Sequence, residues 1–79
     1  MKDPNEYNVR AVERALLIMG CFDSEHPERG ISEISEVVGL HKATAHRIVT
    51  TLLNYGYLER AADGQKYRLA GPSPRHGRP

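Results

Sequence analysis

The reactive side chains of this 79-residue chain offer two kinds of chemistry, and their spacing separates them. Catalysis or metal binding would have to draw on one cysteine and four histidines. His41 and His46 stand five apart, which turns them about 140° from each other on a helix and removes the one-face i, i+4 arrangement of a metal pair. Cys21 and His26 flank a loop end with nothing beside them to serve as a third ligand or an oxyanion donor. Cys21 therefore reads as a buried, inert packing residue, and His26 and His76 as exposed. Gly30, Gly39 and Gly56 are isolated and form no phosphate-cradling loop. An enzyme, a metal site and a cofactor are all unexpected.

Hydrogen-bonded recognition is the better-supplied chemistry. In Lys42-Ala43-Thr44-Ala45-His46-Arg47, the Arg47 guanidinium can donate two parallel hydrogen bonds to O6 and N7 of guanine. Thr44 offers a hydroxyl and a methyl, Ala43 a methyl for thymine, and Lys42 can reach a base edge or a phosphate. These four are the base-reading candidates. Phosphate or minor-groove contacts would come from Ser32, His41, His46, Thr50, Thr51, Arg60, Gln65, Lys66 and Arg68. At Ser32 the neighbouring Glu33 opposes an anion even though a helix start favours one.

The elements that must position these residues follow from periodicity. From Lys42, the apolar positions Ala45, Ile48, Val49, Leu52 and Leu53 follow i, i+3, i+4, i+7, i+8, which predicts a third helix over 42–54, roughly 20 Å long. Its opposite side carries Ala43, Arg47, Thr50 and Asn54, flanked by Thr44, Thr51 and His46, and bears no carboxylate. Upstream, Val9, Val12, Leu16 and Met19, with Ala15 and Phe22 in the same stripe, predict an amphipathic first helix of about 14 residues. The segment from Asp23 to Gly30 is a polar loop marked by Pro27 and Gly30, and Ile31 is expected in a strand of one or two residues. Ser32 is placed as the N-cap of a brief second helix with Ile34, Val37 and Val38 on its apolar face. Gly39 ends it in the left-handed conformation with Leu40 folding back on Ile34, and Gly56 and Tyr57 repeat the device after the third helix, with Tyr57 on Leu52.

Beyond Gly56, Tyr57-Leu58-Glu59-Arg60 and Lys66-Tyr67-Arg68-Leu69 alternate in polarity around an Asp63-Gly64 turn, as a two-stranded hairpin requires. Lys66 and Arg68 should face out, Tyr67 and Leu69 inward. The expected fold is mainly α with a small β-hairpin: a winged helix-turn-helix of three helices and a two-stranded wing over residues 7–69, with a flexible N-terminus over 1–6 and a disordered tail over 70–79. In this arrangement the second helix of the motif enters the DNA major groove.

Composition agrees with that plan. With 39% apolar and 27% charged residues, so short a chain buries only about 60% of its unfolded surface, leaving one small core and no enclosed catalytic cavity. No apolar run approaches the roughly 20 residues of a membrane span and no secretory pattern opens the chain, so a cytoplasmic location is expected. The net charge of +1 divides unevenly: residues 1–40 carry four basic and eight acidic side chains, residues 41–79 seven basic and two acidic. A polyanion would meet the second half.

Tyr7-Asn8-Val9-Arg10-Ala11-Val12-Glu13-Arg14-Ala15-Leu16, Ser32-Glu33-Ile34, Gly39-Leu40-His41-Lys42-Ala43-Thr44-Ala45-His46-Arg47-Ile48 and the stretch from Gly56-Tyr57-Leu58 to Tyr67-Arg68-Leu69 together resemble the N-terminal winged helix-turn-helix domain of IclR-type bacterial transcriptional regulators. The resemblance spans residues 7–69. Lys42-x-Thr44-x-x-Arg47 followed by an aliphatic run and Gly56-Tyr57 is its most specific part. Ala43 stands where the family often has serine, and His41 where it has proline or a polar residue, which alters base preference and capping at this end. The resemblance implies a dimeric regulator that binds a palindromic operator in double-stranded DNA, as repressor or activator. It also implies a metabolite-sensing C-terminal domain about twice this length, absent here, so no effector site is expected within this chain. Either a longer protein cut down or a gene product ending early would account for that. A homodimer through the first helix is expected, with Tyr7, Leu17 and Ile18 either on the dimer surface or completing the core. The competing reading is a winged-helix protein-interaction module without sequence-specific DNA binding, which would require apolar residues on the outward side of the third helix; only Ala43 is there.

Overall fold

Residues 8–71 are described by the computed structural model, and within them two glycine-terminated helices and a short sheet settle the position of everything else. The order is α1 (Arg10–Met19), β1 (Arg29–Gly30), α2 (Ile31–Val38), α3 (Lys42–Asn54), β2 (Leu58–Arg60) and β3 (Lys66–Leu69). The three strands form one antiparallel sheet in the order β1-β3-β2, with Arg29 opposite Tyr67 and Glu59 opposite Arg68. The fold is therefore a winged helix-turn-helix, mainly helical, with a three-stranded rather than a two-stranded sheet. The expected flexible N-terminus, Tyr7 and His76 lie outside the described residues. So does the tail beyond Gly71; Ala70 still donates from its N–H to the Tyr57 carbonyl at 3.1 Å, one step past β3.

At both turns the glycine does what its missing Cβ allows. Gly39 (φ 73°) and Gly56 (φ 82°) sit in the left-handed region, and the N–H groups of Leu40 and Tyr57 reach five residues back to the carbonyls of Ser35 (3.0 Å) and Leu52 (2.9 Å). The short connection after Gly39 sets α3 against α2. The core gathers Ile18, Cys21, Phe22, Ile34, Val49, Leu58 and Tyr67, with Leu40, Ile48, Leu52 and Leu53 packed around it. Ala45 is likewise fully buried on the α3 face that periodicity selects.

Several local expectations change. β1 is Arg29–Gly30 and Ile31 is the first residue of α2, because pairing with β3 holds Gly30 extended (ψ 170°) immediately before the helix. Gly30, not Ser32, occupies the N-cap position, and Ser32 lies in the first turn, where its carbonyl accepts from Ser35 Oγ at 2.9 Å. On α2, Val37 is exposed while Ile34 and Ser35 are buried. Leu69 is exposed because β1 pairs only with Tyr67 and Lys66, leaving the far end of β3 a neighbour on one side alone.

α1 is shorter than expected, and its apolar stripe is not its buried side. Ile18 is fully buried and completes the core, whereas Val9, Val12, Leu16 and Leu17 are 62%, 56%, 63% and 51% exposed. Apolar side chains occupy more than one side of this helix, so a repeating stripe identifies a helix without saying which side faces inward. Cys21 and Phe22 are buried in the turn that follows, not on the helix.

Candidate nucleic-acid interface

The candidate recognition surface is built on α3, whose bounds are set by His41 at its N-cap and Tyr55 at its C-cap. Ala45 and Val49 fix its inner side in the core, and that orientation leaves Lys42, Ala43, His46, Arg47, Thr51 and Asn54 exposed. Thr44 and Thr50 are half-buried at the edges. Thr51 Oγ1 donates to the Arg47 carbonyl at 3.0 Å, so its hydroxyl hydrogen is held by the helix and only its lone pairs face outward. His41, extended (φ −62°, ψ 147°) and exposed, makes no capping bond with its side chain. Among the described residues, no carboxylate lies within ion-pairing distance of Lys42 or Arg47. The α3 candidates thus share one surface with free cationic ends, while Ser32 stands on a separate helix.

The wing candidates divide between the two sides of the sheet. Arg60 lies over the ring of buried Tyr67, 5.4 Å from guanidinium carbon to ring centre, so it belongs to the side that faces the core. Lys66 and Arg68 stand on the other side. Arg68 is not a free cation: its Nε donates to Glu59 Oε2 at 2.7 Å, and Glu28 lies 3.9 Å from Nη1. The tip is held by Asp63, whose Oδ1 accepts from the N–H groups of Gln65 (2.9 Å) and Lys66 (3.2 Å). Those two backbone hydrogen bonds, Gln65 first, hold its carboxyl below the ordinary aspartate range. The exposed side chains of Gln65 and Lys66 project from this braced turn.

Two features escape a reading of residue types alone. Arg29 is buried, donating from Nε to the Cys21 carbonyl (2.7 Å) and from Nη1 to Glu33 (2.5 Å), and so ties β1, the turn after α1 and the start of α2 together. Burial pushes the Cys21 thiol up, against a weaker opposing pull from the Arg29 charge. The second is a groove of about 820 Å³ between α1 and α3, with Val12, Ala15, Leu16, Ile48, Leu52 and Tyr57 among its apolar lining and Arg10, Arg14, Thr44, Arg47 and Thr51 supplying the polar part. The i, i+4 spacing of Arg10 and Arg14 was visible in the sequence, but without the fold nothing tied it to α3. No helix among the described residues is long and apolar enough to cross a membrane.

Comparison with known proteins is consistent with this arrangement. Residues 11–62 match the family model of the IclR helix-turn-helix domain. The chain is 39% identical over 61 residues to the HTH-type transcriptional regulator XynR of Escherichia coli (strain K12), which covers 77% of the chain and 24% of that protein. It is 31% identical over 70 residues to a glycerol operon regulatory protein of Streptomyces coelicolor, covering 89% of the chain and 28% of the relative. The chain thus spans about a quarter of the length of these relatives. Among solved structures, an IclR family transcriptional regulator from Brucella abortus superposes with a TM-score of 0.77 at 32% identity, covering 86% of this chain and 26% of that one. An IclR homolog from Microbacterium sp. strain HM58-2 gives 0.72 at 32% identity, over 76% of this chain and 25% of that one.

Proposed function

The chain belongs to the IclR helix-turn-helix family of transcriptional regulators, and from that premise we propose that it binds double-stranded DNA sequence-specifically, with α3 in the major groove and the β2–β3 wing on the backbone or minor groove. The observation that carries the reading is the exposed side of α3: Lys42 and Arg47 stand there without a carboxylate partner among the described residues, beside Ala43 and Thr44, on a helix whose other side is locked into the core. Arg47 reads guanine, Lys42, Ala43 and Thr44 complete the base contacts, and His46, Thr50 and Thr51 lie toward the flanking phosphates. On the wing, Lys66 and Gln65 are placed for backbone contact, and Arg60 and Arg68 serve only if they leave Tyr67 and Glu59. Ser32 and His41 remain candidates for a phosphate at the starts of α2 and α3.

Two copies pairing through the exposed side of α1 would present two such helices to a palindromic operator, in the geometry by which dimeric helix-turn-helix proteins read half-sites. A pure protein-docking role for α3 is disfavoured, since among the described residues the exposed side of 42–54 carries no large apolar side chain, the exposed Tyr55 lying past it at the C-cap.

Selection of bound sequences from a random duplex pool should return a defined site. Arg47→Ala should then cost about 1 to 3 kcal/mol on that site and relax preference at one base position. Equal affinity of the unaltered chain for the selected duplex and for random duplex at moderate salt would overturn sequence-specific binding.

A further inference from the structure

The six described arginines sort into distinct surroundings. Arg29 and Arg68 are neutralised by carboxylates, and Arg60 rests on the Tyr67 ring. The remaining three, Arg10, Arg14 and Arg47, have no carboxylate partner among the described residues, and all three line the groove between α1 and α3. Among the described residues, no aspartate or glutamate lines that groove. Three guanidinium groups around one cleft repel one another unless an anion is held between them or alongside. Arg10 and Arg14 project from nearly the same angle on α1, about 40° apart, so they form a short row. Since Arg47 and Thr44 share that cleft, the row adjoins the base-reading end of α3.

We propose that Arg10 and Arg14 form a phosphate-binding flank beside the recognition helix, supplied by α1 and separate from the wing. It rests on the reading of α3 as the DNA-contacting helix. A duplex whose major groove receives α3 presents a phosphate strand at the border of that groove, and two guanidinium groups in a row can donate to successive phosphate oxygens. The flank positions without reading sequence, so it strengthens binding to operator and random duplex alike.

The test measures affinity for a duplex of mixed sequence across a salt series, for the unaltered chain and for Arg10→Gln, Arg14→Gln and the paired Arg10→Lys, Arg14→Lys variant. Each glutamine variant should lower the slope of log affinity against log salt by about 0.9 per protomer bound, and the lysine pair should keep it. Preference for the selected site over mixed sequence should not move. Arg14 is half-buried, so thermal unfolding of each variant accompanies the titration; Arg10 is exposed and its variant reports even if Arg14→Gln is unstable. An unaltered chain without salt-dependent duplex affinity overturns the DNA-binding reading and this flank with it. An unaltered chain that binds, with Arg10→Gln leaving the slope unchanged, overturns the flank alone.

Discussion

Before Arg68 can serve a phosphate, it must release Glu59 at 2.7 Å and Glu28 at 3.9 Å. Pairs this exposed are worth only about 0.2 to 1 kcal/mol, so the arginine is restrained rather than locked. The carboxylates also place negative charge on the side of the wing that carries Lys66. Glu59→Gln should therefore raise affinity for a mixed-sequence duplex at low salt and steepen the salt slope by about 0.9, without altering site preference. A slope that stays unchanged on titration would mean Arg68 never faces the duplex. This pairing was within reach of the sequence, because the Asp63-Gly64 turn and strand alternation bring Glu59 opposite Arg68. Arg29 was not. Its burial involves the Glu33 carboxylate four residues on and the Cys21 carbonyl, and only the fold brings the second to it. Nothing in its neighbours' residue types distinguishes it from a surface arginine.

At the scale of elements, legibility followed how many independent signals agreed. For α3, five apolar positions on one side, a glycine before its start and another after its end all select one helix in one orientation, and the surface proposed to read bases comes with it. For α1, only periodicity speaks, and the helix carries apolar residues on two sides, so the sequence leaves open which side faces the core; Ile18 completes it and Leu17 does not. The hairpin was legible through its turn chemistry, which also yields a prediction. Asp63 accepts two backbone N–H bonds that favour its charged form, so its folded pKa lies below its unfolded value of about 3.9. The stabilisation is thus complete above that unfolded value and is lost as pH falls through the folded one. Asp63→Asn keeps an acceptor oxygen but loses the charge. Its melting temperature should fall below that of the unaltered chain at neutral pH, and the gap should close as the solution is acidified below the ordinary carboxylate range. A gap that stays constant with pH would show that the charge of Asp63 contributes nothing to the turn.

For the whole molecule, a division of labour replaces the near-zero net charge. The sequence's basic half holds α3 and the wing, while its acidic half holds α1 and α2, yet Arg10 and Arg14 from that acidic half line the cleft beside α3. Fold, not sequence order, decides where positive charge gathers. On α1 and its N-cap, Val9, Val12 and Leu16 remain exposed together, an apolar patch that no other described residue of the same copy covers. A second copy can cover it through a two-fold contact in which each residue is used twice. Burying one leucine side chain is worth about 1.5 to 3 kcal/mol, so Leu16→Glu, which removes two from the dimer and adds two like charges, should weaken self-association by a hundredfold or more. Because Leu16 is 63% exposed, thermal stability at concentrations where the chain is monomeric should hardly change. Sedimentation equilibrium over a concentration series separates the outcomes. Dimers of the unaltered chain that give way to monomers in Leu16→Glu place the interface on α1. Dimers in both put it elsewhere, and monomers in both leave the pairing of half-sites to regions beyond this chain.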